Sequence, residues 1–219
     1  MKEPTHWTIS RLHDYEKCPA AYSYRYRHGL AGKPHPAAER GTAIHELMEE
    51  AVKTGKALKG AALSRFNAYV AELRGYPECI AEGEWAVNNK WTHTQYDDPK
   101  MWLRSKLDVV VHDRDYWKVT DWKTGKIYGT NADQMLLYAG LVFERFKPAE
   151  VEVELVYLDQ RQAIGQTITA ADWALAKPEF NTRAKRMLNG KQAFKPTPGD
   201  ACRWCQYAKS KGGPCHDEA

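Results

Sequence analysis

Apolar and polar positions alternate with a period of two in the middle of the chain. Every second residue from 107 to 111 is leucine or valine, and β-branched and aromatic residues return at 116–122 after a polar turn at 112–115. Such runs on either side of a short polar turn are typical of a β-hairpin. The pattern therefore predicts two antiparallel strands, with Asp108 and Asp121 placed inside otherwise apolar segments.

Other periodic segments surround this hairpin. Alternation predicts further strands over 81–95, 151–158 and 163–168, the last two as an antiparallel pair. Helical spacing predicts helices over 8–28, 41–54, 59–74, 131–146 and 169–189, interrupted at Cys18-Pro19 and at Pro178, with a loop over 31–40. This order of elements indicates an α/β protein with a central mixed β-sheet flanked by helices on both faces.

The composition fits a globular protein of one domain. Of the 219 residues 43% are hydrophobic and 27% are charged, and no apolar run approaches the roughly 20 residues of a membrane span. The first residues, MKEPTHWTISR, lack the apolar core of a signal peptide, so we expect a cytoplasmic protein without a membrane partner. The net charge of +4 permits a nucleic acid as partner.

The hairpin carries three charged groups with a common direction. Asp121 and Lys123 are two residues apart, so their side chains point to the same face of a strand. Burial of the two carboxylates of Asp108 and Asp121 costs free energy unless a cation neutralises them. Their hard oxygen ligands suit Mg²⁺ or Mn²⁺. Such a site suits metal-assisted hydrolysis of a phosphodiester. The alternative for each aspartate taken singly is a turn flank or a solvated strand face.

The spacing Asp108…Asp121-Trp122-Lys123-Thr124-Gly125 resembles the core of the PD-(D/E)XK nuclease superfamily in its RecB-like branch. The resemblance implies a restriction-endonuclease-like fold in which Asp108, Asp121 and the carbonyl of Trp122 bind Mg²⁺ or Mn²⁺ and Lys123 orients the attacking water. This chain departs from the pattern at Trp122, where a tyrosine is usual, and at Ser105 or Lys106, where a small residue is usual.

Further motifs resemble the same family. Gly41-Thr42-x-x-His45 resembles its first nuclease motif, which implies that His45 binds the metal; the alternative is a histidine packed in the core. Gln134-x-x-x-Tyr138 resembles its last motif, which implies support of substrate or of the lysine; the alternative is a tyrosine packed under a polar cap. Glu84 is predicted to support the site from the start of a strand, and Glu82 competes for that role.

Five cysteines suggest a second site. Ser10-x-Leu12-x-x-Tyr15-x-x-Cys18-Pro19-x-x-Tyr22-x-Tyr24 resembles the start of RecB-like exonucleases, including CRISPR-associated and AddB-type members. The resemblance implies a tail folded back on the N-terminal helix and one 4Fe-4S cluster on Cys18, Cys202, Cys205 and Cys215. Two alternatives remain, a zinc site with His216 as a further ligand, and free thiols. No motif pairs Cys79.

The resemblance implies an Mg²⁺- or Mn²⁺-dependent DNA exonuclease, with DNA and a recombination or replication protein as partners. We expect one domain over 1–219, with a cysteine subregion at 1–30 and 194–219 and a nuclease core at 41–146. An inactive nuclease-fold module that binds DNA or acts as a scaffold is the second interpretation. A redox protein using Cys202-x-x-Cys205 is the third, and the lack of a βαβ pattern around the tail argues against it.

Overall fold

The computed structural model describes residues 3–30, 32, 36–127 and 131–217. The chain divides into two compact units, one of residues 34–178 and one of residues 1–33 with 179–219. The predicted cysteine subregion falls in the second of these units, and the predicted nuclease core falls in the first. Of the loop predicted over 31–40, residues 31 and 33–35 lie outside the described residues.

The elements follow one another in this order. The helices are α1 (Ile9–Lys17), α2 (Pro19–Tyr22), α3 (Pro36–Thr54), α4 (Gly60–Leu63), α5 (Asn67–Arg74), α6 (Asn131–Phe146) and α7 (Ala170–Leu188). The strands are β1 (Glu78–Val87), β2 (His93–Thr94), β3 (Leu103–Asp113), β4 (Tyr116–Lys123), β5 (Glu150–Tyr157) and β6 (Gln162–Thr169). A π-helical turn at Ser23–Arg27 follows α2, and 3₁₀ turns lie at Ser64–Phe66, Asp200–Trp204 and Lys209–Lys211.

The strands form one mixed sheet in the order β2-β1-β3-β4-β5-β6. Only the β4–β5 pair is parallel among the described strands, and the other neighbours are antiparallel. This arrangement confirms the predicted α/β class, the β3–β4 hairpin and the antiparallel β5–β6 pair. The parallel pairing of β4 with β5 requires a crossover, which α6 supplies.

The strand predicted over 81–95 is wrong in its bounds. β1 begins earlier, at Glu78, and ends at Val87. The side-chain oxygen of Asn88 accepts hydrogen bonds from the backbone N–H groups of Lys90 and Thr92, at 2.9 and 3.1 Å. This local turn, closed by Trp91 at a φ of 63°, reverses the chain before β2.

Three helix predictions also need correction. α3 begins at Pro36 and not at 41, because proline is well accommodated in the first helical turn. The helix predicted over 59–74 is divided into α4, a 3₁₀ turn and α5. α7 continues through Pro178, where a break was predicted, since a proline removes one backbone donor without necessarily ending a helix. The predicted helix over 131–146 is confirmed as α6.

The two faces of the sheet carry different helices. On one face, Trp122 of β4 and Val109 of β3 pack in a cluster with residues of α3 and α5, including Met48 and Leu73. On the other face, α6 lies over the side chains that alternate with Trp122. Gly140 of α6 lets Trp173 approach closely, since a Cβ there would lie 2.6 Å from the indole ring. Alternation along β4 thus sends Trp122 into the core and its charged neighbours to the opposite face.

The smaller unit is held together by aromatic contacts between its two segments. Tyr22 stacks on Phe194 with ring centroids 6.1 Å apart, and the hydroxyl of Tyr15 donates to Oε1 of Gln192 at 2.7 Å. The hydroxyl of Tyr207 donates to the carbonyl of Leu30 at 2.8 Å. These contacts confirm that the C-terminal tail folds back on the N-terminal helical region. None of the helices within the described ranges is long and apolar enough to span a membrane.

Candidate active site

The two strands of the hairpin are joined at Asp108. This carboxylate is 8% exposed on β3, and its Oδ2 accepts a hydrogen bond of 2.7 Å from the backbone N–H of Trp122 on β4. The bond holds Asp108 beside the segment Asp121-Trp122-Lys123. The spacing of 13 residues between the two aspartates therefore brings both carboxylates to the same end of the hairpin.

Four side chains on β4 and α6 form one hydrogen-bonded group. Oδ1 of Asp121 accepts hydrogen bonds from Nε2 of Gln134 at 3.1 Å and from the hydroxyl of Tyr138 at 2.9 Å. Nζ of Lys123 donates to Oε1 of Gln134 at 2.7 Å. Gln134 and Tyr138 share a helix face because they are four residues apart. The residues predicted as one site from their motifs are thus brought together in space.

The second oxygen of Asp121 pairs with Lys123. Asp121 is 3% exposed, and its Oδ2 lies 2.7 Å from Nζ of Lys123 in an ion pair. Burial raises the pKa of Asp121, the charge of Asp108 raises it further, and Lys123 opposes both effects. A buried carboxylate fits a metal ligand, because a cation there offsets the desolvation of the charge.

A second group of possible ligands meets at Asp108. His45 of α3, Glu82 of β1 and Asp108 offer ligand atoms that all lie within 4.8 Å of one another. Nδ1 of His45 lies 3.3 Å from Oδ2 of Asp108, and this hydrogen bond raises the pKa of the imidazole. Burial and the charge of Asp108 raise the pKa of Glu82. Nitrogen and carboxylate oxygen ligands in this number suit a divalent cation such as Mn²⁺ or Mg²⁺.

The glutamate predicted to support the site is placed elsewhere. Glu84 lies opposite Lys106 on β3, is half exposed, and pairs with the Lys106 ammonium at 3.2 Å. Glu82, which the sequence analysis named as a competitor, has a side chain that is only 17% exposed and belongs to the group around Asp108. Its backbone has a φ of 54°, a strained value for a non-glycine residue, and such strain often accompanies functional sites.

Sequence analysis missed a contact that holds the loop after β4. Arg40 of α3 forms two hydrogen bonds with Asp159, at 2.9 and 2.6 Å. Oδ2 of Asp159 also accepts a hydrogen bond of 2.7 Å from the backbone N–H of Gly125, which has a φ of 88°. Asp159 follows β5 and is 34 residues from Gly125. No local pattern connects these positions, although Gly125 itself belongs to the predicted motif.

The smaller unit contains a second candidate site. Cys18, Cys202, Cys205 and Cys215 all line one cavity, together with Tyr24 and Tyr207 among others. The backbone N–H of Cys205 donates to the carbonyl of Cys202 at 3.0 Å, and the N–H of Cys215 donates to the carbonyl of Tyr207 at 2.9 Å. His216 is not among the lining residues. Thiolate sulfurs suit zinc or an iron–sulfur cluster.

Comparison with solved structures shows proteins of similar fold. SSO0001, a solved structure, is similar over 100% of this chain and 89% of its own, with 14% identity and a TM-score of 0.56. A protein from Eubacterium rectale, described as a candidate exonuclease, is similar over 98% of this chain and 89% of its own, with 11% identity and a TM-score of 0.54. At these identities the likeness shows the fold alone, and no curated protein matches the chain.

The family is shown by a different comparison, which uses the sequence directly. The model of one family matches residues 6–210, which is nearly the whole chain and includes the hairpin, α3 and α6. The mixed sheet flanked by helices described above is consistent with the fold of that family. The chain therefore belongs to the PD-(D/E)XK nuclease superfamily.

Proposed function

We propose that this protein is a DNA nuclease that requires Mg²⁺ or Mn²⁺ and that acts as an exonuclease. The observation that carries the proposal is the meeting of His45, Glu82 and Asp108, together with buried Asp121, whose pKa the charge of Asp108 raises. Ionised carboxylates this close together repel one another, and a bound cation reduces that repulsion. The membership in a nuclease superfamily is consistent with this chemistry.

The residues that would hold the ion are His45, Glu82, Asp108 and Asp121, with the carbonyl of Trp122 as a further oxygen. A divalent ion at such a site polarises the phosphate and lowers the pKa of a bound water. Asp108 keeps the hairpin closed through the N–H of Trp122 and so fixes the distance between β3 and β4.

Lys123 is the group nearest to these carboxylates that can act on the attacking water. Its ammonium lies between Oδ2 of Asp121 and Oε1 of Gln134, at 2.7 Å from each. In this position Lys123 orients the water and stabilises the charge that develops on the phosphoryl oxygens. Gln134 and Tyr138 keep the carboxylate of Asp121 and the ammonium of Lys123 in this alignment.

The test is digestion of DNA that carries a label at one end, with Mg²⁺, with Mn²⁺ and with EDTA. We expect a linear duplex or single strand to be degraded with either metal and to remain intact in EDTA. An exonuclease leaves a covalently closed circle uncut, whereas an endonuclease cuts it. If neither linear nor circular DNA is cut with either metal, the nuclease proposal is wrong.

We expect Glu82 and not Glu84 to matter for cleavage. Glu82→Gln removes a charge from the group around Asp108, so cleavage should fall by about 10²-fold, in the range for the loss of one preorganised polar contact. Glu84→Gln is the matched control, since it makes the same change two residues away on a half-exposed side chain. Initial rates at saturating Mn²⁺ measure both variants, and an equal loss in the two would contradict the placement of Glu82.

Asp159 is expected to act as a positioning residue for the loop after β4. Asp159→Asn keeps the acceptor for the Gly125 N–H but loses the charge that pairs with Arg40, and Asp159→Ala loses both. We expect cleavage to fall about 3- to 10-fold in the first variant and by more in the second. Loss of a contact that holds a metal ligand in place usually costs on the order of 10–100-fold. Rates as a function of Mn²⁺ concentration should show weaker apparent metal affinity. A loss of stability with unchanged metal dependence would indicate a purely structural role.

We further propose that Cys18, Cys202, Cys205 and Cys215 hold one 4Fe-4S cluster with a structural role. Four cysteines around one cavity, drawn from both ends of the chain, support a shared inorganic centre. A zinc ion on the same four thiolates is the second candidate. We assign the hydrolysis to the carboxylates and Lys123, and to the cysteine centre only a structural role.

A further inference from the structure

The tail of the smaller unit exposes one tryptophan. Seven of the eight tryptophans are at most 9% exposed, and Trp204 is 85% exposed. An indole normally removes a large apolar area from water, so a fully exposed one is unusual when the other seven are buried. Trp204 lies between Cys202 and Cys205, within the segment that lines the cysteine cavity.

The backbone before Trp204 forms a short helical turn. Trp204 ends the 3₁₀ turn Asp200–Trp204, in which the N–H of Cys202 donates to the carbonyl of Gly199 at 2.8 Å. The next N–H, that of Cys205, donates to the carbonyl of Cys202 at 3.0 Å. Two thiols of the proposed cluster thus flank the indole, and a bound centre would fix the turn that presents it. A rigid aromatic surface loses little conformational freedom when a ligand stacks on it.

Positive charge is concentrated in the same unit. Residues 1–33 and 179–219 contain 14 Lys and Arg against 7 Asp and Glu, a net charge of +7. Residues 34–178 contain 18 against 21, a net charge of −3, although they hold the carboxylates of the candidate active site. The net charge of +4 for the whole chain is therefore the sum of a basic unit and an acidic one.

Several of these charges lie in the same tail as Trp204. Arg203 precedes it in the turn, where its guanidinium lies 3.4 Å from Asp200, and Nζ of Lys211 donates to the carbonyl of Arg203. Lys195 and Lys209 are exposed in the same tail. Exposed aromatic rings among lysines and arginines are the combination that binds single-stranded nucleic acid, because rings stack on bases and cations contact phosphates.

We propose that Trp204 stacks on an unpaired base of DNA and that the basic residues around it contact the adjoining phosphates. The proposal rests on the proposed function in that DNA is the ligand, and it adds a contact outside the candidate active site. Stacking needs an exposed base face, so the partner is a single strand or the unpaired end of a duplex. An intact duplex offers no such face except at its ends.

The test measures binding of a short fluorescent oligothymidylate by anisotropy, in EDTA and at fixed salt, so that no strand is cut. Trp204→Ala should bind between about 5- and 150-fold more weakly than the wild type, the range for loss of one stacked base. Trp204→Phe should keep most of the affinity. Leu175→Ala is the control, since Leu175 is an apolar residue of the other unit that is 81% exposed.

Two further measurements separate stacking from other roles of Trp204. An abasic strand of equal length should bind the wild type and Trp204→Ala equally, because only phosphates remain to be contacted. A plot of log affinity against log salt concentration has a negative slope. Lys209→Gln should make this slope less steep by about 0.7, the value for one phosphate contact on a single strand. The iron content of each variant is measured as well. If Trp204→Ala loses iron, Trp204→Leu takes its place, since leucine keeps apolar volume but cannot stack.

Unchanged affinity in Trp204→Ala, or equal weakening on the normal and the abasic strand, would overturn the proposal. The outcome is independent of catalysis. If no DNA is cut in any metal but binding depends on Trp204, the nuclease proposal fails and the stacking contact stands. If DNA is cut normally and Trp204→Ala binds as the wild type does, the stacking contact fails and the nuclease proposal stands.

Discussion

Asp108→Asn will abolish DNA cleavage and leave the fold intact. Asparagine has nearly the same shape and can still accept the hydrogen bond from the Trp122 N–H, so the hairpin stays closed. The negative charge with which Asp108 would bind the proposed metal ion beside His45 is lost. We expect cleavage in Mn²⁺ to fall by at least about 10³-fold, the upper part of the range for removal of one electrostatic contact to the transition state.

The same experiment includes two other variants. Lys123→Ala should also abolish cleavage. Among the described residues, Lys123 has the one ammonium group that contacts both Asp121 and Gln134. Asp113→Asn is the matched control, since Asp113 lies on the same strand and is exposed at its far end. Calorimetry should show that Asp108→Asn no longer binds Mn²⁺ tightly and that Asp113→Asn does.

The thermal midpoint of Asp108→Asn should equal or exceed that of the wild type. Removal of one charge from a group of crowded carboxylates relieves repulsion in the protein without metal. Rates near the wild-type value for Asp108→Asn in Mn²⁺ would show that the site is assigned wrongly. A large fall in the thermal midpoint would instead show that the charge of Asp108 serves the fold.

Replacing any one of Cys18, Cys202, Cys205 and Cys215 by serine should remove the iron. The final residues have few apolar side chains, and ordering them costs roughly 1–2 kcal/mol per residue in backbone entropy. Bonds from four thiolates to one centre offset that cost, and the loss of one ligand releases the centre. We expect the thermal midpoint to fall by roughly 5–10 °C, since about 1 kcal/mol corresponds to 2–4 °C in a chain of this size.

Anaerobic purification, a visible absorption spectrum and metal analysis measure this prediction. The wild type should be coloured and contain iron, and each of the four variants should be colourless. Cys79→Ser is the control, because Cys79 packs against the core of the other unit and burial raises the pKa of its thiol. It should keep its iron. A colourless wild type with one equivalent of zinc would favour the zinc site, and a wild type with no metal would exclude both centres.

Local patterns were sufficient where the residues concerned are close in sequence. The hairpin that carries Asp108 and Asp121 follows from alternation around a turn, and the bounds of α6 follow from helical spacing. The common face of Gln134 and Tyr138 follows from their separation by four residues. In each case the backbone geometry of one element determines the direction of its side chains, so no knowledge of other elements was required.

The tertiary structure decided the relations between distant residues. The choice between Glu82 and Glu84 depends on the backbone of β1 at a φ of 54° and on the burial of Glu82 beside Asp108, and the strand pattern contains neither. The pairing of Arg40 with Asp159 spans 119 residues. Cys18 shares a cavity with cysteines of the tail because aromatic residues of both segments pack together.

The sequence by itself therefore determined the α/β class, the hairpin and the charged motif on it, since these depend on periodicity within single elements. The bounds of α3 and β1, the continuity of α7 and the partners of Asp159 were decided by packing and by turns. Contacts between remote segments depend on the whole fold. Folding closes long loops and so brings together side chains that no periodic pattern in the sequence relates.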